Sequence, residues 1–338
     1  MTSAALTGRK RFLLAATGVL GALRVGAAPA RAAQFEYKLA HTVPVEHPQH
    51  IRLVQMWDAV KAETRGRLVV TTFPNGTLAG SNDIVGQLRL NAIQFAATAS
   101  AGWSGIIPVV SIDALPLAFS SSQQAWHVMD GPLGAYVRDQ FTSRGIFLFP
   151  KKYEFGVRQV TSSTKQITTL ADMMGFKLLI PSATIFVEFW RALGAIPVTM
   201  GASEFYTAMQ THVVDGSDNP LLSIESFRWY EVQRYLSITN HSWSGSWLGA
   251  NLDAWNALPS DIQGIVLRNQ ARYADLQRRD AVLQNDSLTD KLRRQGLALA
   301  TVNTTSWRPR LGSYFAKWKS EFGTTAWGLL EAGVGRVG

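Results

Sequence analysis

The sequence predicts an α/β fold made of two units with a cleft between them. Three observations lead there. Short β-branched runs alternate with helical periodicities in a β-α-β-α-β order, which argues for a largely parallel sheet covered by helices. The alternation occurs in two series, one before and one after about residue 155. The chain of 338 residues is long enough for two domains of ordinary size.

In chain order, positions 36–42 alternate well enough for a first strand ending at His41 or Thr42, where Pro44 and Pro48 break the chain. Ile51, Val54, Trp57, Val60 and Ala62 fall close to helical spacing between His50 and Thr64, and Gly66 stops that helix. Positions 68–73 are β-branched and read as a second strand, and Pro74-Asn75-Gly76 is a turn. A helix near 84–90 and a strand at 93–98 complete the first series. The second series reads as strands at 157–161 and 176–180, a helix at 185–193, Gly194, a short strand at 196–199, and a helix at 203–211 with Ser203 available as its cap. A long helix is expected over 221–235 and a strand over 247–252, crossing back toward the first unit. Positions 259–295 are helical and heavily charged on one side, and the last forty residues read as helical too. Two units joined by crossing segments leave a cleft, and interdomain clefts are where small-molecule sites concentrate.

The N-terminus is unlike the rest. Arg9, Lys10 and Arg11 precede an apolar run from Phe12 to about Leu23, and small residues lead to Ala30-Arg31-Ala32-Ala33. These are the parts of a secretory signal peptide over 1–33, and Arg24 leaves the apolar run short of the ~20 residues of a bilayer span. Arg9-Lys10-Arg11-Phe12-Leu13 loosely resembles a twin-arginine signal with lysine at the second arginine position, so both export routes stay open. No later segment approaches a span, so stable membrane insertion after cleavage is not expected.

Removing the five basic residues of positions 1–33, where no acid occurs, takes the formal net charge from +9 to +4. That excess is mild and spread along the chain, without the dense basic patch that nucleic acid would require. There are no cysteines, hence no disulfides, thiolate metal sites or cysteine nucleophiles. Nucleophile elbows, zinc-helix motifs and phosphate-cradling loops are absent from 34–338. The one literal G-x-G-x-x-G, at Gly333, Gly335 and Gly338, has no helix after it to receive a pyrophosphate. Neither an enzyme nor a cofactor is expected.

A series of short stretches points to a family. They are Lys38-Leu-Ala-His-Thr42, His47-Pro48, Thr64-Arg-Gly-Arg-Leu68, Phe73-Pro-Asn-Gly-Thr-Leu78, Leu115-Pro-Leu-Ala-Phe119 and Gly156-Val-Arg-Gln-Val-Thr161. Leu170-Ala-Asp-Met-Met-Gly-Phe-Lys177, Leu193-Gly-Ala-Ile-Pro-Val-Thr-Met200, Glu204-Phe-Tyr-Thr-Ala-Met-Gln210 and Val214-Asp-Gly-Ser-Asp-Asn-Pro220 follow in order. Together they resemble the P-subunit, DctP-like substrate-binding proteins of tripartite ATP-independent periplasmic (TRAP) transporters, over roughly 35–333. The resemblance implies a periplasmic-binding-protein-like fold with an interdomain ligand cleft, shared strands and a long bridging helix. It implies domain I at 34–155 plus about 244–283, and domain II at 156–243 plus about 284–338. It further implies a periplasmic protein that closes on a small-molecule ligand, does no chemistry, and docks on TRAP membrane subunits.

The resemblance also nominates site residues. The strand in which family members carry an arginine for the ligand carboxylate reads Lys177-Leu-Leu-Ile-Pro181 here, with Leu179 at the arginine position. Leucine cannot donate a hydrogen bond, so that anchor is missing. Arg158 matches a second family arginine, and the competing role for it is a salt bridge. Asn219 matches a residue that often reaches the ligand, although an asparagine before proline also suits a turn. Asp218 is expected to be structural. Thr42, His41 and Ser182 are further polar candidates, and Trp103, Phe186 and Trp243 are aromatic ones, with Phe155, Trp190 and Trp247 nearby. The alternative for any one aromatic is core packing. His41, His47 and His50 with Glu46 superficially suggest a metal cluster, but His47-Pro48 reads as a helix start, and no metal site is expected. Two ligand readings remain: a carboxylate held by Arg158, or a neutral or cationic molecule such as an amino alcohol held by aromatics and Asn219. A sensory protein of the same fold is a further alternative.

Overall fold

Strand β1 (Phe35–His41) is the first element of the computed structural model, which describes residues 33–80 and 83–338. The expected signal peptide therefore lies, apart from its last residue, outside the described residues. Helix α1 (Pro48–Glu63) begins two residues earlier than its apolar spacing suggests. The reason is local: the His47 side chain caps the Gln49 amide at 3.1 Å, and Pro48 needs no amide partner in the first turn. Arg65 and Gly66 end the helix with positive φ, and β2 (Leu68–Phe73) pairs parallel with β1. Helix α2 (Ile84–Arg89) leads to β3 (Phe95–Ala99), parallel to β1 on its other side. The expected β-α-β-α-β order is thus present.

One helical face follows, made of α3 (Ser100–Trp103), a 3-10 segment at Pro108–Ala114, α4 (Ser122–Asp130) and α5 (Pro132–Thr142). The short β4 (Ile146–Leu148) then precedes β5 (Tyr153–Ser162), which is longer than the expected 157–161. The second series comprises β6 (Lys177–Ile180), α6 (Thr184–Ala192), β7 (Ile196–Thr199), α7 (Phe205–Gln210) and β8 (Gly216–Pro220). Ser203 does not cap α7. It lies in a 3-10 turn at Ala202–Glu204, and the helix starts at Phe205 without a side-chain cap.

The long helix expected over 221–235 is not formed. Helix α8 (Leu221–Ser226) stops, Arg228 takes φ 59, a 3-10 turn spans Trp229–Val232, and β9 (Tyr235–Ile238) begins. A left-handed residue cannot continue a right-handed helix. Strand β10 (Trp243–Asn251) starts four residues before the expected 247, and the short helix α9 (Leu252–Asn256) follows it. The charged segment is one helix, α10 (Ser260–Arg294), of 35 residues. The last forty residues are not all helical: β11 (Ala298–Thr301) and a 3-10 turn precede α11 (Gly312–Val334), which Gly323 breaks at φ 79.

The sheet runs β2-β1-β3-β10-β5-β8-β6-β7, with β4 on β10, β9 on β5 and β11 on β9. Two parallel halves, β2-β1-β3 and β8-β6-β7, are joined through β10 and β5, which pair antiparallel with each other and with the halves they meet. These are the crossing segments. Helix α10 spans about 50 Å at 1.5 Å per residue. Its Ile262, Val266 and Ala274 bury against Leu39, Trp57 and Phe95, and its Ala281, Leu288 and Leu292 against Leu179, Met209 and Trp229. It is the long bridging helix. Helix α11 packs on α4, α5 and the Pro108–Ala114 segment as well as on α6, so the C-terminus also touches both series. Among the described residues, no helix is long and apolar enough to cross a membrane.

Candidate functional site

The register of β5 against β10 shifts at one point. Glu154 faces Gly245 and Gly156 faces Ser244, which leaves Phe155 without a partner. Phe155 is the extra residue of a β-bulge, and Gly156 takes φ 111, a backbone region open mainly to glycine. Phe155 lines a cavity of about 90 Å³ onto which the carboxyl ends of β1, β3, β6 and β8 converge through Thr42, Ala99, Pro181 and Pro220. Strand carboxyl ends are where α/β sheets take their ligands.

Four of the sequence-derived candidates line this cavity: Arg158, Asn219, Thr42 and Ser182. Arg158 is 3% exposed. Its Nε donates to Asp218 Oδ1 at 2.7 Å and its Nη2 to the Asp218 carbonyl, while its guanidinium lies over the Phe186 ring at 4.7 Å. Nη1 has no hydrogen-bond partner among the described residues. Asp218 is fully buried, as its expected structural role requires, and also accepts from Trp190 Nε1 at 2.8 Å and pairs with His241 Nε2 at 3.1 Å. Burial pushes its carboxyl up, but the Arg158 charge, His241 and Trp190 outweigh this and hold it at about 2. A charged Asp218 therefore fixes the plane of the Arg158 fork and offsets much of its charge. Arg158 thus forms the salt bridge weighed for it and also lines the cavity.

Asn219 is 4% exposed, and its Nδ2 is buried without a partner. An unpaired buried amide is costly, so it marks a place where a ligand acceptor would be welcome. The hydroxyl residues Thr98, Ser223 and Ser244 complete the polar lining, and most of the lining is apolar. Phe205, Phe227, Trp229 and Met200 form one wall. Phe227 and Trp229 stack at 4.7 Å between centroids and 11° between planes, and Phe205 meets Trp229 at 5.2 Å. Sequence reasoning missed this wall because it read Phe227 and Trp229 as parts of one helix. The signal that was available is the spacing itself, since residues two apart do not share a helix face.

His41, Trp103, Phe186 and Trp243 do not line the cavity. Trp103 is buried in the core against Phe141 and donates its Nε1 to the Thr98 carbonyl at 3.1 Å. Phe186 lies behind Arg158 and supports it. Trp243 turns its Nε1 to Glu154 at 2.8 Å. His41 is buried and shares a 3.0 Å hydrogen bond with His50. Burial and then His50 push His41 and His47 down to about 3, so both are neutral imidazoles. Among the described residues, no group of three or more His, Cys, Asp and Glu side chains is placed to hold a metal ion. Leu179 is fully buried with Phe205, Val214 and Trp229, behind the apolar wall.

Ala101, Gly102 and Ser182 are shared with a wider cleft of about 390 Å³, lined also by Ser104, Ser111, Thr184, Lys317 and Glu321. Behind the bulge, Lys152 is fully buried, paired with Asp113 and bonded to Ser100 Oγ at 2.7 Å, and burial pushes its ammonium well down.

The family model for bacterial extracellular solute-binding proteins of family 7, DctP, matches residues 39–321. The chain belongs to this family. A DctP-family protein binds a solute and does not transform it, and the location is periplasmic. A solute-binding protein of Roseobacter denitrificans is 30% identical over 267 residues, covering 78% of this chain and 80% of that protein. The 2,3-diketo-L-gulonate-binding periplasmic protein of Escherichia coli is 24% identical over 282 residues, covering 83% and 84%. A TRAP periplasmic solute-binding protein from Sulfurospirillum deleyianum with bound succinate superposes at a TM-score of 0.83. It is 24% identical, covering 89% of this chain and 99% of that one, a likeness of fold. The two-domain DctP fold, with strands crossing between its halves, is therefore the fold of this chain.

Proposed function

We propose that this protein captures a small carboxylate in the cavity at the ends of β1, β3, β6 and β8 and delivers it to the membrane subunits of a TRAP transporter. One observation carries the reading: Arg158 and Asn219 line the cavity, and Arg158 Nη1 and Asn219 Nδ2 have no acceptor among the described residues. An anion oxygen satisfies both, and the fork of Arg158 suits a carboxylate better than an ammonium would. The named ligands of two relatives, 2,3-diketo-L-gulonate and succinate, are both carboxylates. A neutral carbonyl ligand is the second reading, favoured by the offset of Arg158 by Asp218.

The test is thermal-shift screening of carboxylates, their amides, amines and polyols, followed by calorimetry. Acids should raise the melting temperature and their amides should not. Arg158→Ala is a poor probe, because stranding buried Asp218 costs roughly 3–5 kcal/mol of stability. Arg158→Lys keeps a cation beside Asp218 but loses the fork, and it should weaken acid binding roughly 10- to 100-fold while the protein stays folded. Equal binding of acids and amides, unchanged in Arg158→Lys, would leave the neutral reading standing instead.

A further inference from the structure

We propose that the ligand is a monocarboxylate with a single aromatic ring, its ring seated on the Phe205–Trp229–Phe227 wall and its carboxylate on Arg158 and Asn219. This rests on the carboxylate reading above and adds the chemistry of the ligand's body.

Charge limits the number of carboxylates. Arg158 is the one cationic side chain on the cavity lining among the described residues, and it already shares its charge with Asp218. Lys317 in the adjoining cleft is paired with Glu188, and Lys152 behind the bulge is buried on Asp113. A second carboxylate in the cavity would be desolvated with no counter-charge, which is unfavourable. The wall selects the body. It is made of the Phe205, Trp229 and Phe227 rings and the Met200 side chain, with Phe155 on the lining as well. A sugar acid would lose water from the hydroxyls it turned to this wall, where three rings and a thioether offer no strong hydrogen-bond partner in return. An aromatic ring would extend a stack that already exists, in the offset or edge arrangements that aromatic pairs prefer.

The backbone builds this wall deliberately. In a helix Phe227 and Trp229 would lie about 200° apart around the axis. The left-handed Arg228 between them, φ 59, folds the chain so that the two rings stack, and the Glu231 carboxylate holds the exposed Arg228 at 2.8 Å. Trp229 is then anchored in the core with Leu179, Met209 and Leu292. The ring wall is consequently assembled by the fold itself.

Calorimetry on residues 34–338 decides the matter, with benzoate, benzamide, cyclohexanecarboxylate, succinate and galactonate as probes. Benzoate should bind tighter than cyclohexanecarboxylate, and at least about tenfold tighter than succinate and galactonate. Phe227→Leu keeps apolar volume but removes one ring. It should weaken benzoate roughly three- to tenfold and leave cyclohexanecarboxylate nearly unchanged. Phe155→Leu provides the same comparison should Phe227→Leu fail to fold. Tighter binding of succinate or galactonate than of benzoate, or equal effects of Phe227→Leu on both ring acids, would overturn the aromatic assignment while leaving the carboxylate reading intact. Benzamide binding as well as benzoate would overturn the carboxylate reading, and with it this proposal, even if the ring effect persisted.

Discussion

At the residue scale, the buried acids divide by what surrounds them. Asp218 faces Arg158 and is held low, whereas Glu154 is pushed up to about 7 by burial, against the hydrogen bonds of Trp243, Trp126 and Ser122. Glu154 thus binds its proton more tightly in the folded than in the unfolded chain, where it titrates at ~4.3. Its contribution is most favourable below the unfolded value and is lost as pH rises through about 7. Glu154→Gln, which keeps an acceptor for the indoles, should therefore flatten the fall in melting temperature between about pH 5 and pH 8. A pH series of thermal melts on both proteins checks it, and parallel curves would show that Glu154 does not titrate in that range. Nothing local in the sequence marks Glu154 as a buried acid, because its burial depends on neighbours 89 and 123 residues away, Trp243 and Gln277.

At the element scale, the bulge in β5 is held from outside the sheet. Gln277 on α10 accepts from the Glu154 amide at 2.7 Å and donates to the Glu154 carbonyl at 2.7 Å, taking the place of a strand partner. Arg278 donates to the Lys152 carbonyl at 2.9 Å and forks onto Asp130 at 2.7 and 2.8 Å. The long helix therefore supports the backbone that presents Phe155 and Arg158. Gln277→Leu would leave two buried backbone groups unpaired, at about 1–3 kcal/mol each. Chemical denaturation should show a loss of that order, and benzoate affinity should fall with it as the bulge relaxes. A loss within about 0.5 kcal/mol, as for an ordinary surface change, would contradict this support role. Elements with clean periodicity, such as α1, β2 and α10, are legible in the sequence to within a few residues. The segment 221–235 is not, because one residue, Arg228, reverses the chain and nothing in its side chain announces a positive φ.

At the scale of the whole molecule, two parallel half-sheets meet through β5 and β10, and the cavity sits where these crossing strands meet the ends of the others. Only a few strands cross, so a small change of twist in them re-aims both halves, the hinge behaviour known for periplasmic binding proteins. The expected result is a more compact particle with ligand than without. The chain without positions 1–33, about 305 residues, has a compact radius of gyration of about 19 Å, and small-angle scattering should show the ligand-free value above the ligand-bound one. Identical curves with and without saturating benzoate would argue for a preformed site without closure. Helix α10 and α11 each touch both series, so they restrain that motion.

By itself the sequence determined the fold class and the family, and it pointed to Arg158 and Asn219, which line the cavity. These rest on local patterns: apolar period, turn residues and motif order, all set by neighbours in the chain. Only the tertiary structure decided that Arg158 is shared with Asp218, that Trp103, Phe186, Trp243 and His41 pack behind the cavity, and that Phe205, Phe227 and Trp229 form its wall. Those outcomes depend on burial and on pairing across strands distant in sequence. A short run of residues carries no record of which face of the sheet its side chains will share, or with whom.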